Sequence, residues 1–443
     1  MNQPVTRRNF LSAVPAAGLA MGGAKAASTP GKPAILGGSK VRTAQFPSWP
    51  VFDQTEERAL LEVLRSGHWF RGTGQAVKAF EAAYAQLTGA KFCQATANGT
   101  AALYTSLNAL GVEPGDEVLV PPYTFIATVN VVLRQHALPV FVDSDIETSQ
   151  MDARKIEAAI TERTKAIVPV HLGGSPCDLD AILAIARKHN IPVIEDACQA
   201  HLAEWRGRKV GTWGATGCFS FQASKNLNSG EGGAILTADE AIRDRCYTFQ
   251  NSGSGLKYIG ANFTYAASGT NLRMTEFQGA MLQAQMTRIE KQAQTRTENA
   301  RYLTSMLKEI PGIVPARMYD GCTRNAYHLF MLRYHKEQFA GLSRERFLKA
   351  LSAEGIPAAG GYAPLNTQSF IRDSFNSRGY RALYPKQVLD QWRERTACPV
   401  NDRLCAEAVW FGQTVMLASR TDMEQIAEAV RKIQHHAADL VKV

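Results

Sequence analysis

The 443-residue chain has no cysteines in CxxC spacing, no histidine–cysteine pattern of zinc-finger type and no long run of one charge. Its eight cysteines (Cys93, Cys177, Cys198, Cys218, Cys246, Cys322, Cys398 and Cys405) sit mostly inside apolar segments such as GATGCFSF. A chain of this length buries enough surface to fold without disulfide staples, so they read as small core residues. No metal is expected from such spacings. The 49 Lys plus Arg and 40 Asp plus Glu are scattered, so the net charge of +9 supports a mild preference for small anions and not a nucleic-acid surface. No strand–GxGxxG–helix unit occurs, which excludes a nicotinamide oxidoreductase; Gly72-Thr73-Gly74 precedes a helix but follows no clear strand. No apolar run reaches the ~20 residues of a membrane-spanning helix. What is present is ordinary globular composition, 45% hydrophobic and 20% charged. At about 150 residues per domain, two or three domains are expected.

The first residues, MNQPVTRRNFLSAVPAAGLAMGGAKAA, place Arg7-Arg8 before Asn9, Phe10 and Leu11. A weakly apolar run to Met21 follows, then the small residues Ala24-Lys25-Ala26. This pattern resembles a twin-arginine export signal over residues 1–26, implying transport in the folded state to the periplasm. Residues 27–51 read as an N-terminal arm.

From about residue 52, short β-rich runs alternate with helical stretches. The strand candidates are 117–120, 139–142, 166–170, 192–194, 217–221 and 234–236. The helix candidates include 56–66, 75–87, 100–110, 125–135, 152–160 and 179–188. This alternation predicts an α/β fold, a mostly parallel sheet with helices on both faces. A long helix is expected over 274–310, stopped by Pro311-Gly312. The shorter elements beyond it suggest a smaller α+β domain. The expected division is 52–300 for the large domain and 301–443 for the small one.

The chemistry-bearing residues concentrate in 194–237. A strand ending at Ile194 delivers Glu195-Asp196 to the carboxyl edge of the sheet, where open α/β sheets bind ligands. Ser220 and Lys225 bracket a turn that leads to Gly230-Glu231-Gly232-Gly233. Lysine beside a strand-end aspartate suits an aldehyde cofactor: the amine forms a Schiff base and the carboxylate keeps a pyridine nitrogen protonated. Ala97-Asn98-Gly99-Thr100 offers a close backbone approach and a helix N-terminus for a phosphate.

The segments SGHWFRGTG (66–74), ANGTAAL (97–103), VPPYTFIATVN (120–130), PVHLGGSPCDLD (169–180), EDACQAH (195–201), CFSFQASKNLNSGEGGA (218–234) and NLRMTEFQGA (271–280) together resemble the DegT/DnrJ/EryC1/StrS family, over about residues 33–437. That resemblance implies an aspartate-aminotransferase-like, fold type I enzyme using pyridoxal 5'-phosphate. It implies transfer of an amino group from glutamate or glutamine to a keto sugar or keto cyclitol. It also implies a homodimer with shared active sites. By the same resemblance Lys225 is the Schiff-base lysine and Asp196 the partner of the pyridine nitrogen. Phe125 stacks on the ring, and Gly99, Thr100 and Ser220 hold the phosphate. Gln199 lies near the phenolic oxygen, and Asn271 reaches the phosphate of the neighbouring subunit's cofactor. Tyr123, His171, His201, Tyr327 and His328 are candidate substrate contacts, and each also reads as an interior or rim residue.

Relatives with histidine in place of the lysine act as sugar dehydratases, whereas this chain keeps Lys225. Many members carry a histidine in a late LPxH-like segment, where this chain reads Trp410-Phe411-Gly412-Gln413. That difference points away from a nucleotide sugar, and FSFQ (219–222) is closer to the cyclitol and aminobenzoate branches. The alternatives to transamination are a dehydratase and an exported scaffold that binds cofactor or sugar without turnover.

Overall fold

The computed structural model describes residues 31–255 and 265–442. The expected export signal therefore lies outside the described residues.

The large domain is built on one continuous twisted sheet. Strands Leu138–Phe141, Glu117–Val120 and Thr164–Ile167 run parallel. Bridges Ile167↔Val193 and Val170↔Asp196 join this group to Ile194–Asp196, which runs parallel to Thr216–Ser220. Gly233–Thr237 is then antiparallel to both Thr216–Ser220 and Phe92–Thr96. The expected parallel sheet thus carries one reversed strand. Strand 92–96, not anticipated from the sequence, closes the edge. Its short FCQAT run has no clear alternation.

Helix boundaries follow local capping chemistry. Asp53 caps Gln54–Ser66 with a reciprocal bond to Glu56, and Gly67 ends it in the left-handed region at φ +69°. Asn98 caps Gly99–Ala109 by accepting from the Ala101 amide at 2.8 Å. The expected helix 152–160 is instead a 3₁₀ turn, Ala153–Lys155, followed by the single turn Ile156–Ala159.

The long helix Glu276–Leu307 is shared by both domains. Leu282 and Ile289 pack with Val77 and Phe80 in the large domain. Ala300, Leu303 and Leu307 pack in the small one, against the sheet Ile313–Pro315, Leu329–Tyr334, Ala408–Gly412 and the helix Arg420–His435. A single cut at residue 300 does not describe the packing beyond this helix. Residues 365–398 return to the large domain, where Ile371, Phe375, Tyr380, Tyr384 and Trp392 join its core. Tyr380 Oη donates to the Ala137 carbonyl (2.9 Å), Trp392 Nε1 to Pro139 (2.7 Å), and Arg395 pairs with the buried Glu117 (3.0 Å). The N-terminal arm crosses the small domain, with the Val41 amide donating to Glu354 at 2.9 Å. It ends against the lysine-bearing loop, where Trp49 Nε1 donates to the Ala223 carbonyl at 2.8 Å.

Candidate active site

Asp196 ends its strand with the side chain at the carboxyl edge. Its Oδ2 accepts from Thr128 Oγ1 at 2.8 Å and its Oδ1 from the Cys198 amide at 3.2 Å. Thr124 Oγ1 lies 3.0 Å from Thr128 Oγ1 and extends the chain of hydroxyls. These donors fix the direction of the carboxylate.

Lys225 sits on the turn after Thr216–Ser220 and faces the same cavity as Asp196. Burial lowers the pKa of its amine, opposed by the negative charge of Asp196. Its neighbour Asn226 is buried and ties the turn to the small domain. Asn226 Nδ2 donates to the Ala326 carbonyl at 2.7 Å, and its Oδ1 lies 3.2 Å from His328 Nδ1.

Close approach builds the phosphate cradle. A Cβ at Gly99 would meet Ser220 Cβ at 2.7 Å and Cys198 Sγ at 2.9 Å, and one at Gly233 would meet the Asn98 carbonyl oxygen at 2.3 Å. The initial N–H groups of helix Gly99–Ala109 have no intrahelical partner, and the positive end of the helix dipole favours an anion there.

Gly99, Thr100, Phe125, Asp196, Gln199, Ser220, Lys225 and His328 line one cavity of about 550 Å³. Phe125 is 55% exposed, so its ring is available to cover a planar ligand. Gln199 Oε1 accepts from the Gly173 amide at 2.8 Å and its Nε2 donates to Tyr362 Oη at 3.0 Å. Burial pushes the Tyr362 phenol up to about 12, so it stays protonated. Trp410 packs edge-on against Tyr362 at 4.8 Å and lines the same cavity. Thr128, Tyr362, Trp410 and Glu231 are lining residues that the sequence did not nominate as contacts. Thr128 lies within the VPPYTFIATVN segment, and Trp410 stands where the sequence departs from its relatives.

Four of the candidate substrate contacts lie elsewhere. His171 is fully buried, with Nε2 3.0 Å from Glu195 and Nδ1 accepting from the Cys177 amide. His201 is buried between the rings of Phe219 and Phe221; burial, then the charge of Lys225, push its pKa down to about 3. Tyr123 is buried behind Tyr362 and Trp410. Tyr327 faces a separate groove of about 580 Å³ with Arg301, Arg317, Arg324 and Arg333, which holds neither Lys225 nor Asp196. Asn271 is exposed, bridged to Asn251, and does not line this cavity.

The residues fit pyridoxal 5'-phosphate. A desolvated lysine, an oriented carboxylate, an exposed aromatic ring and a helix-terminal anion cradle share one cavity of suitable size. Fold and site together define a pyridoxal-phosphate-dependent aminotransferase of fold type I. The chain belongs to the DegT/DnrJ/EryC1/StrS aminotransferase family, whose profile matches residues 50–431. It is 36% identical to the L-glutamine:2-deoxy-scyllo-inosose aminotransferase of Streptomyces kanamyceticus over 422 residues, covering 92% of this chain and 98% of that one. It is 33% identical to the 3-amino-5-hydroxybenzoate synthase of Amycolatopsis mediterranei, covering 88% and 97%. The crystal structure of a 3-amino-5-hydroxybenzoic acid synthase superposes with a TM-score of 0.79 at 31% identity, covering 90% of this chain and 100% of that one.

Proposed function

We propose that this protein transfers an amino group from glutamine or glutamate to a keto cyclitol or keto sugar, with Lys225 carrying the cofactor. The observation that carries this reading is the shared cavity of Lys225 and Asp196, with the anion cradle at Gly99, Thr100 and Ser220. The cofactor supplies an aldehyde that condenses with amines and a pyridine ring that accepts electrons from the bond being broken. Lys225 Nζ, its proton affinity reduced by burial, serves as nucleophile and then moves a proton across the reacting carbon. Asp196, held by Thr128 and the Cys198 amide, keeps the pyridine nitrogen protonated. Phe125 would cover the face of the cofactor ring and Gln199 would neighbour its phenolic oxygen, both lining the cavity.

The cyclitol preference is supported by the scyllo-inosose relative and by the aromatic wall of Trp410 and Tyr362, suited to the C–H face of a carbocycle. The protein acts as a homodimer in which Asn271 completes the neighbouring subunit's phosphate site. Its exposure away from its own cavity supports that role. Residues 1–26 direct the folded, cofactor-loaded protein to the periplasm, on the pattern of Arg7-Arg8-Asn9-Phe10-Leu11 and Ala24-Lys25-Ala26. Fractionation beside an Arg7→Lys, Arg8→Lys variant tests export, and an uncleaved cytoplasmic product from both would refute it.

The direct test of the site is borohydride reduction of the holoenzyme followed by peptide mass mapping. The pyridoxyl group should be recovered on Lys225, and its recovery on another lysine would overturn the assignment.

A further inference from the structure

The cavity wall is rich in amides and hydroxyls yet contains no arginine among the described residues. Its one cation is Lys225, and the carboxylates of Asp196 and Glu231 share the wall. Buried in the same wall is His328, whose protonation is fixed by its neighbour. Asn226 Nδ2 donates to the Ala326 carbonyl at 2.7 Å, which settles which end of that amide is oxygen. Asn226 Oδ1 then faces His328 Nδ1 at 3.2 Å, so Nδ1 carries the proton and Nε2 keeps its lone pair. Among the described residues Nε2 has no hydrogen-bond partner.

The ring is held deliberately. Tyr327, immediately before it, adopts φ +48°, a left-handed conformation that a bulky residue keeps only where its surroundings enforce it. The Tyr327 amide donates to Asn325 Oδ1 at 2.8 Å, and a Cβ at Gly174 would lie 2.9 Å from the Tyr327 nitrogen. Burial, then the positive charge of Lys225, lower the imidazole's proton affinity and keep it neutral.

We propose that His328 selects the amino donor: Nε2 accepts an N–H of the glutamine carboxamide and rejects the second carboxylate of glutamate. This inference rests on the aminotransferase reading above. Both donors share the α-amino and α-carboxylate groups, so those drop out of the comparison. At the far end, glutamine offers a donor to a neutral acceptor. Glutamate offers only lone pairs to a lone pair.

The test compares wild-type holoenzyme with His328→Gln and Asn226→Asp, using L-glutamine and L-glutamate. The first half-reaction is followed by the cofactor's absorbance, and binding is measured by thermal shift with the amine-free analogues glutaramate and glutarate. Wild type should favour glutamine and glutaramate by about 10- to 100-fold. In His328→Gln the new carboxamide can turn an N–H outward, and the preference should shrink to within about threefold. Asn226→Asp retains an acceptor for Nδ1 but adds a charge that favours imidazolium, making Nε2 a donor. Its preference should move toward glutamate, where a purely structural role would lower both donors together. Equal wild-type preference, or an unchanged ratio in both variants, would overturn the proposal. If His328→Gln does not fold, the wild-type analogue preference and Asn226→Asp decide it. If no amino acid converts the wild-type cofactor, the aminotransferase reading falls instead, and the analogue binding still judges His328.

Discussion

Glu195 and Asp196 are consecutive carboxylates at the end of one strand, and they have opposite surroundings. Glu195 accepts from the amides of Gly211, Trp213 and Gly214, each at 2.7 Å, and lies 3.0 Å from His171 Nε2. It is fully buried and its hydrogen-bonding capacity is used up within the chain. Asp196 accepts from two donors and turns toward the cavity. Alternation along the strand sends one side chain to each face of the sheet. The same division separates His171, engaged through both ring nitrogens, from His328, engaged through one. A polar residue available for chemistry is one that the fold orients but leaves partly unpaired.

Substitutions on the two sides of this divide should part activity from stability. The largest effect belongs to Lys225→Ala. Donor half-reaction rates should fall by at least about 10³-fold with the denaturation midpoint little changed, because nucleophile and proton carrier are lost together. Asp196→Asn should follow, with a loss of about 10²- to 10³-fold, since a neutral amide cannot hold the pyridine nitrogen protonated. Its stability should stay within about 1 kcal/mol of wild type. Glu195→Gln should invert the pattern. The amide replaces one acceptor oxygen with a donor facing backbone N–H groups, and urea titration should register a loss of about 3 kcal/mol. The folded fraction should retain nearly full specific activity. An inactive but stable Glu195→Gln protein would break the comparison.

Much of this site was legible in the sequence because its signals are local. The cap at Asn98, the close-packed Gly99 and the Ser220–Lys225 turn each declare themselves within a few residues. So does the strand ending at Asp196. What could not be read depends on side-chain direction and on distant contacts. Nothing in PVHLGGSP shows that His171 turns to Glu195, and nothing in EDACQAH shows that His201 is sealed between two phenylalanines. Tyr362 reaches Gln199 across 163 residues of chain. Covalent order alone puts segment 365–398 with the small domain, whereas its side chains pack in the large one. Its placement follows from Trp392, Tyr380 and Tyr384 finding carbonyl acceptors on the large domain's loops and strands.

Thr128→Val would sharpen the comparison on the active side. Removing the 2.8 Å hydroxyl leaves Asp196 with the Cys198 amide alone. The expected cost is about tenfold in kcat/KM, as for loss of one hydrogen bond to a charged group.

The smallest effect concerns the amine itself, in the cofactor-free protein. Burial lowers the folded-state pKa of Lys225 below its ordinary value of 10.5. Between that lowered pKa and 10.5, the unfolded chain therefore binds more protons than the folded one. Stability then rises with pH across this window, because the slope follows the excess of protons bound by the unfolded state. Below the window the folded protein carries a desolvated ammonium and bears the full penalty. Lys225→Met removes the titrating group and keeps the volume. The variant should melt higher than wild type at neutral pH, by no more than a few degrees. The gap should close as the pH approaches 10.5. A gap independent of pH would show that packing and not charge sets the difference, and that the amine is not held desolvated before the cofactor arrives.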